Sequence, residues 1–249
     1  MGMPSLLFAV SFWRRIMGEA LKIEIKPIDK PTADKIVKKY HYSGKVVQNS
    51  NLNFGVFYNG ILLGAMQFGS PMVKDKLLPL VKDAKWGSVL ELNRMAFSDA
   101  LPRFGESRAL SLAFKWIKKN APQVEWIVSF ADGTQCGHGT IYQASNFYLT
   151  QIKKNSSIIL LPSGETICEM SLRMTANADA RKKGYKTARQ YRDAEHKGWR
   201  YINGYMYRYI YFLTKNAKKN FQGEFIPYSK IKEIGAEMVR GEWVDSQKN

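Results

Sequence analysis

Cysteine is scarce in this chain. The 249 residues include only two, Cys136 and Cys168. Two isolated cysteines provide neither a disulfide framework nor a CxxC pair for zinc, and such usage is typical of a reducing compartment. We therefore predict a cytoplasmic location and no zinc site built from cysteine.

Long apolar runs are also lacking. No run is long enough to span a bilayer, so we predict no membrane partner. Residues 4–13 are apolar, but no basic residue precedes them and Arg14-Arg15 follow them, which is the wrong order for a secretory signal. An ordinary start begins at Met17, and we interpret residues 1–16 as an unstructured N-terminal extension.

Acidic residues are few. The chain has 21 Asp and Glu against 38 Lys and Arg, a formal net charge of +17. This balance favours a polyanionic partner, either nucleic acid or an anionic membrane surface. Because 45% of the residues are hydrophobic, the chain is a folded protein rather than a basic tail. Its length allows one large or two small domains.

Residues 125–148 form the stretch with the most concentrated chemistry. The apolar residues 126–130 predict a buried strand, so Asp132 is expected just past its carboxyl end, where α/β sheets bind ligands. Cys136 and His138 follow on a glycine-containing turn, and a short helix is predicted at residues 140–145. Asp132 is a candidate catalytic residue, although capping of a turn explains it equally well.

A second group of functional side chains follows the first predicted helix. Residues 22–28 alternate as a strand, and residues 33–39 predict a helix capped by Thr32 or Asp34. His41 and Tyr42 come directly after that helix. A histidine between two tyrosines can supply a base, a metal ligand or a stacking platform, and it can also form a packed aromatic corner.

A third feature is a candidate anion site. Residues 52–57 and 61–68 predict a hairpin closed by Asn59-Gly60, and residues 89–97 predict a further strand that carries Arg94. A basic loop from Arg103 then leads to a helix over residues 108–120, with Ser107 as its N-cap. Free N–H groups at a helix start bind anions, so this loop suits a pyrophosphate.

The C-terminal part is basic. Residues 173–220 contain 13 Lys and Arg against three acidic residues, and tyrosines alternate along a predicted strand over residues 204–213. We interpret these tyrosines as sheet residues rather than as stacking platforms. Residues 180–197 are predicted to contact DNA or RNA. The candidate contacts are Lys182, Lys183, Lys186, Arg189 and Arg192.

The order of elements resembles the GNAT-type N-acyltransferase fold. We therefore predict an α/β (α+β) fold with a mixed central sheet flanked by helices. Residues 17–172 would be the catalytic core, and residues 173–249 a basic, aromatic-rich extension that packs on the core and contacts DNA. The resemblance implies that the loop and helix after the fourth strand hold the donor's phosphates. The residues in those places are Arg94, Arg103, Ser107 and Arg108.

Several blocks resemble the Mom family of phage DNA-modification proteins more closely. The resemblance implies a transferase that adds a methylcarbamoyl group to the exocyclic nitrogen of adenine. Such a mark would protect phage DNA from host restriction in the bacterial cytoplasm. The substrate would be double-stranded DNA with a flipped adenine, bound by a monomer or homodimer. The blocks are KKYHYSGKVV (38–47), FGVF (54–57), MQFG (66–69), ELNRMAFSD (91–99), SRALS (107–111) and VSFADGTQC (128–136).

The implied product constrains the donor, because its methylene rather than its carbonyl is bonded to the purine. Acetyl-coenzyme A is therefore one candidate, and another acyl or glycyl donor is the alternative. The resemblance also implies iron, for which His41, Tyr42 and Asp132 are the candidate ligands or acid–base groups. Tyr40 or Tyr142 is a candidate to stack on the flipped base. A conventional acetyltransferase of a protein or small amine, and a non-catalytic DNA-binding protein, remain the competing functions.

Overall fold

The computed structural model describes residues 18–239 and 242–243, so the predicted extension at residues 1–16 lies outside it. The strands are β1 (Ile23–Pro27), β2 (Ser50–Tyr58), β3 (Ile61–Gly69), β4 (Val89–Phe97), β5 (Trp126–Asp132), β6 (Tyr148–Leu160), β7 (Thr166–Cys168), β8 (Arg200–Phe212), β9 (Met238–Val239) and β10 (Glu242–Trp243). The α-helices are α1 (Lys30–Tyr40), α2 (Lys74–Leu77), α3 (Gly105–Asn120), α4 (Thr140–Ala144), α5 (Glu169–Lys182), α6 (Ala188–Glu195), α7 (Lys215–Lys219) and α8 (Ser229–Glu233). A 3₁₀ helix spans Leu78–Leu80.

Eight strands form one mixed sheet. Its order is β1-β2-β3-β4-β5-β8-β6-β7. The first four strands are antiparallel to their neighbours, whereas β4 and β5 are parallel. Helix α1 packs on β2, β3 and β4, and α3 packs against β1. The predicted mixed sheet flanked by helices is therefore confirmed.

The β2–β3 hairpin closes at the predicted turn. Asn59 and Gly60 have φ angles of 50° and 77°, and Tyr58 pairs with Ile61 across them. Both left-handed angles suit a tight hairpin turn, which asparagine and glycine adopt at low cost. The local sequence alone was sufficient to predict this turn.

Two helix starts differ from the prediction. Helix α1 begins at Lys30, because Asp29 caps it by accepting a hydrogen bond of 2.7 Å from the Thr32 N–H. Helix α3 begins at Gly105, so the prediction of Ser107 as its N-cap was wrong. The Ser107 hydroxyl instead donates to the Phe104 carbonyl oxygen at 3.1 Å, inside the first turn.

The chain divides into two compact units. Unit one comprises the chain up to Ser129, together with Thr140–Thr150 and Arg208–Ile226. Its core contains the buried face of α3 and aromatic side chains such as Phe54, which contacts Trp116 edge to face, and Phe114, which stacks on Tyr211 with ring centres 4.2 Å apart.

Unit two comprises Phe130–Gly139, Gln151–Tyr207 and the chain from Pro227 onward. Its core includes Ile159, Leu161 and Leu172, against which Trp199 packs. The Tyr207 side chain is fully buried, and its hydroxyl donates to the carbonyl oxygen of Ala236. Tyr207 is thus a sheet residue of the core, as predicted.

No helix among residues 18–239 is both long and apolar enough to cross a membrane.

Candidate active site

Unit one contains a cavity of about 410 Å³ beside the N-terminus of α3. The predicted donor residues Ser107 and Arg108 both line it, whereas Arg94 and Arg103 are not among its lining residues. Phe104, Phe114, Ser145 and Tyr211 also contribute to its wall. The cavity therefore combines an apolar wall with polar groups at a helix start, where the first N–H groups favour anions.

The backbone at this helix start has a demanding geometry. Phe104 adopts a left-handed conformation, with φ 65°, immediately before the helix. A Cβ atom on Gly105 would lie 2.7 Å from the Leu101 side chain, so the close approach requires glycine. The Gly105 N–H donates to the Pro102 carbonyl oxygen at 2.8 Å. These features turn the chain sharply and place Ser107 and Arg108 at the cavity.

Two polar atoms at this cavity are buried without a partner. Arg108 Nε and Ser145 Oγ form no hydrogen bond with any residue of the described chain. Buried polar atoms in folded proteins are nearly always hydrogen-bonded, and an unpaired one costs about 1–3 kcal/mol. Both residues line a cavity that is large enough for a small molecule, so a bound ligand that reaches these atoms would satisfy them.

His41 and Tyr42 lie in unit one at the end of α1. Their ring centres are 4.2 Å apart, and Tyr42 is 56% exposed. Burial, assisted by the charge of Arg94, lowers the pKa of His41 from 6.5 to about 4, so this imidazole is neutral at neutral pH. Arg94 holds the nearby backbone by donating from Nε to the Lys45 carbonyl oxygen at 3.0 Å. Arg94 therefore positions the loop after α1.

The tautomer of His41 follows from its neighbour. The backbone N–H of Ser43 donates to His41 Nδ1 at 3.2 Å, and the Ser43 hydroxyl lies 2.8 Å from the same atom. Because a backbone N–H can only donate, Nδ1 accepts and the proton of the neutral ring is on Nε2. His41 thus offers its surroundings an N–H donor rather than the lone pair that a base or a metal ligand needs.

Glu91 is a half-buried carboxyl that the sequence did not single out as a site. Burial raises the pKa of Glu91, while hydrogen bonds from the Met72 backbone and the Asn93 side chain, and the charge of Arg94, act in the opposite direction. Its signal in the sequence is its place in strand β4, where Glu91, Asn93 and Arg94 are polar residues among apolar ones. A raised pKa is typical of functional carboxyls, although structural ones share it.

Asp132 belongs to unit two and is the last residue of β5, not the first residue after it. Its Oδ1 accepts hydrogen bonds from the Thr134 N–H at 3.0 Å and the Thr134 hydroxyl at 2.6 Å, and its Oδ2 accepts one from Asn155 Nδ2 at 3.0 Å. Burial raises the pKa of the Asp132 carboxyl, and these hydrogen bonds oppose the rise. Asp132 therefore caps a turn and is also a fixed carboxyl with a perturbed pKa. Asn155 is distant in sequence, and its role could not be predicted.

Iron was predicted to bind His41, Tyr42 and Asp132. No group of three or more His, Cys, Asp or Glu side chains that could hold a metal ion exists within the described ranges. His41 also presents a protonated nitrogen at Nε2 rather than a lone pair. The geometry of these residues gives no support to iron.

Tyr142, one of the two candidates for stacking on a base, is 9% exposed. Its hydroxyl accepts a hydrogen bond from Ser129 Oγ at 2.9 Å, and its ring contacts Phe147 and Tyr209. Tyr142 is a core residue, so that prediction was wrong for it. Tyr40, by contrast, is only partly buried.

The predicted DNA contacts all lie in unit two. Lys182, Lys183, Lys186 and Arg189 are exposed, while Arg192 is only 7% exposed. Arg192 is therefore not a surface contact for phosphate. The four exposed residues remain predicted contacts.

Comparison with known proteins identifies relatives. Residues 22–230 match the family described as the Mom protein family. The chain is 34% identical, over 226 residues, to the methylcarbamoylase Mom of Escherichia phage Mu, which covers 89% of this chain and 90% of the phage protein. Solved structures with a similar arrangement include an IAA acetyltransferase from Bacillus cereus and the ribosomal-protein-S18-alanine N-acetyltransferase from Escherichia coli. Each has 12% sequence identity to this chain and a TM-score of 0.43. The match to the first covers 76% of this chain and 99% of the acetyltransferase, and the match to the second covers 77% of this chain and 94% of the acetyltransferase.

Proposed function

This chain belongs to the Mom protein family, and we propose that it is a transferase that adds a methylcarbamoyl group to the exocyclic nitrogen of adenine in DNA. The observation that supports the proposal most is the 34% sequence identity to the phage Mu methylcarbamoylase, which extends over 89% of this chain. The net charge of +17 supports a polyanionic substrate. Protection of phage DNA from host restriction enzymes would be the biological consequence of the mark.

The donor would bind in the cavity beside α3. Ser107, Arg108 and the N-terminal N–H groups of α3 are suited to phosphate oxygens, and the apolar wall suits the rest of a coenzyme. Both acetyl-coenzyme A and another acyl or glycyl donor remain compatible with this cavity. Arg108 Nε and Ser145 Oγ would gain hydrogen bonds on binding, which supports a polar ligand at this place.

The chemistry of the product distinguishes these donors. The new bond joins the adenine nitrogen to a methylene carbon, and a proton leaves that nitrogen. A donor that already carries the carboxamide and a leaving group on its methylene satisfies this balance. Acetyl-coenzyme A alone does not, because its methyl carbon would have to be oxidised and a second nitrogen supplied.

The candidate residues have separate proposed roles, Asp132 in unit two and His41 and Tyr42 in unit one. Asp132 would accept the proton, since a carboxyl with a raised pKa is a stronger base than an ordinary aspartate. Neutral His41 would donate a hydrogen bond from Nε2, and the exposed Tyr42 would contact the base or the leaving group. The adenine must leave the duplex stack to react, so we expect base flipping.

Mass spectrometry of nucleosides tests the proposal. DNA from cells that express the chain should contain deoxyadenosine with the methylcarbamoyl mass, and DNA from cells that express Asp132→Ala should lack it. Asp99→Ala, which removes an exposed carboxylate, is the matched control and should modify DNA normally. An acetyl mass would show plain acyl transfer instead. Unmodified adenine beside soluble, folded wild-type protein would contradict the proposal.

A further inference from the structure

Unit two has a cavity of its own, of about 570 Å³. It is lined by residues of α5, α6 and the start of β8, and it contains three arginines, two carboxylates and two aromatic rings. These are Arg173, Arg189, Arg192, Glu169, Asp193, Trp199 and Tyr201. None of these residues lines the donor cavity of unit one.

The wall of this cavity is built around Arg192. Its guanidinium carbon lies 3.7 Å from the centre of the Trp199 ring. Arg192 Nε donates to Asp193 Oδ1 at 3.0 Å, and Nη1 donates to the Tyr201 hydroxyl at 3.3 Å. Trp199 Nε1 donates to the same Asp193 oxygen at 3.1 Å. The result is a cationic wall in which the Trp199 and Tyr201 rings are nearly perpendicular, and the buried Arg192 can reach a ligand only inside the cavity.

The rim of the cavity is different, because its cations are loosely held. The side chains of Arg173 and Arg189 are 69% and 83% exposed. Arg173 pairs with Glu169 at 2.9 Å, and Arg189 lies 3.8 Å from Asp193. Exposed ion pairs of this kind contribute little, so these arginines can turn to another anion at small cost.

We propose that this cavity binds one unstacked nucleotide of the DNA substrate, an inference that rests on the proposed function. Its base would lie against the wall of Arg192, Trp199 and Tyr201, since bases stack on aromatic rings and on guanidinium planes. Its phosphate would be bound by Arg173 and Arg189. Unit two would thereby bind both the base and the phosphate of the nucleotide.

The carboxylates at the cavity indicate which bases fit. Carboxylate oxygens accept hydrogen bonds from the exocyclic amino groups of adenine, cytosine and guanine, and thymine has no such group. Glu169 and Asp193 both line the cavity. We therefore infer a preference for an amino-bearing base over thymine.

Fluorescence anisotropy of labelled DNA tests the charge of the rim. The probes are a 20-base-pair duplex and single-stranded oligo-dC and oligo-dT. Arg189→Ala should weaken oligo-dC binding by about tenfold, the usual size for a lost specific contact. The matched control is Arg181→Ala on α5, which removes an equally charged exposed side chain that does not line the cavity. It should weaken binding only about twofold.

A second pair of variants fills space without changing charge. Ala188 lines the cavity and Ala178 is exposed on α5 outside it. Ala188→Leu should weaken oligo-dC binding severalfold and reduce the difference between oligo-dC and oligo-dT, while Ala178→Leu should leave both unchanged. Circular dichroism melts of all four variants verify that each is folded.

The outcomes separate this inference from the proposed function. Equal losses for Arg189→Ala and Arg181→Ala, or equal affinity of the wild type for oligo-dC and oligo-dT, would overturn the cavity as a nucleotide site while leaving DNA as the substrate. Saturable binding of free dCMP that does not compete with DNA would also overturn it. A folded wild-type chain that binds none of the DNA probes would overturn both.

Discussion

The two arginine-lined cavities differ in how their arginines are satisfied. In unit one, Arg108 Nε is buried beside the donor cavity and has no partner among the described residues. In unit two, Arg192 is buried with a hydrogen bond to Asp193, another to Tyr201 and a ring beneath it. A buried polar group without a partner reduces stability until a ligand binds, whereas a satisfied one contributes to the fold. The first arginine therefore suits transient binding, and the second maintains a shape.

The largest effect that this comparison predicts is a loss of stability when the cavity wall of unit two is disrupted. Arg192→Ala should lower the free energy of unfolding by about 2 kcal/mol, because Trp199 loses the guanidinium packed on its ring and Asp193 and Tyr201 each lose a hydrogen bond. Urea unfolding followed by circular dichroism measures this. Arg189→Ala, on the same helix but exposed, is the control and should change stability by less than about 0.5 kcal/mol.

At the donor cavity of unit one, we predict a loss of ligand binding without a loss of stability. Arg108→Ala should weaken binding of coenzyme A by about tenfold, as expected for loss of a charged hydrogen bond, and should leave the free energy of unfolding unchanged or higher. Titration calorimetry with coenzyme A and urea unfolding measure the two quantities. Lys115→Ala, which removes an exposed cation of α3 that does not line the cavity, should bind as the wild type does. A loss of stability as large as that of Arg192→Ala would remove the distinction between the two arginines.

A pH series extends the comparison to His41, whose partner Ser43 favours the neutral ring. The folded pKa of about 4 lies below the ordinary 6.5, so the unfolded chain takes up the proton first as the pH falls. Stability should therefore decrease from about pH 6.5 to pH 4, by on the order of 2 kcal/mol after allowance for partial exposure, and should be unaffected above that window.

The variant His41→Asn isolates this contribution, since asparagine keeps an acceptor for Ser43 but does not titrate. Glu91 and Asp132 titrate in both proteins, so their contributions cancel in the difference between wild type and variant. Urea unfolding at pH 7, 5 and 4 provides the measurement. A difference between the two proteins that does not vary with pH would show that His41 titrates normally.

The smallest predicted effect concerns the helix start at the donor cavity. Gly105→Ala would place Cβ 2.7 Å from the Leu101 side chain. The strain should exceed the gain in helix propensity and lower the free energy of unfolding by about 1 kcal/mol. In Gly87→Ala the new Cβ has its nearest neighbour at 3.8 Å, which makes this variant the control. Equal thermal melts of both variants would contradict the close packing at Gly105.

Local patterns in the sequence predicted much of the fold. Strand β4 and the Asn59-Gly60 turn were predicted at their observed positions, because alternation and turn preference depend on adjacent residues. The start of α3 was missed, because the close approach of Gly105 to Leu101 is a packing effect. Ser107 and Arg108 were predicted to lie together at one anion site, and both line the cavity beside α3, because residues of one helix start are close in space.

Contacts between distant residues explain the rest. The hydrogen bond from Asn155 to Asp132, the raised pKa of Glu91 and the burial of Arg192 each depend on how strands and helices meet in space. In the sequence, Arg192 looks like any basic residue of a solvated helix. Only the position of Trp199 and Tyr201 shows that it forms the wall of a cavity.

The position of β8 in the sheet has a consequence for how the chain is made. Strand β8 is the last of the eight in sequence, yet it lies between β5 and β6. During synthesis, the edges of β5 and β6 that face β8 stay without hydrogen-bonding partners until Arg200–Phe212 has been made. Pairing between such distant segments is slow, and unpaired edges are prone to association with other chains. Nascent chains of this protein are thus most vulnerable to aggregation late in translation, after β6 has emerged and before β8 has inserted.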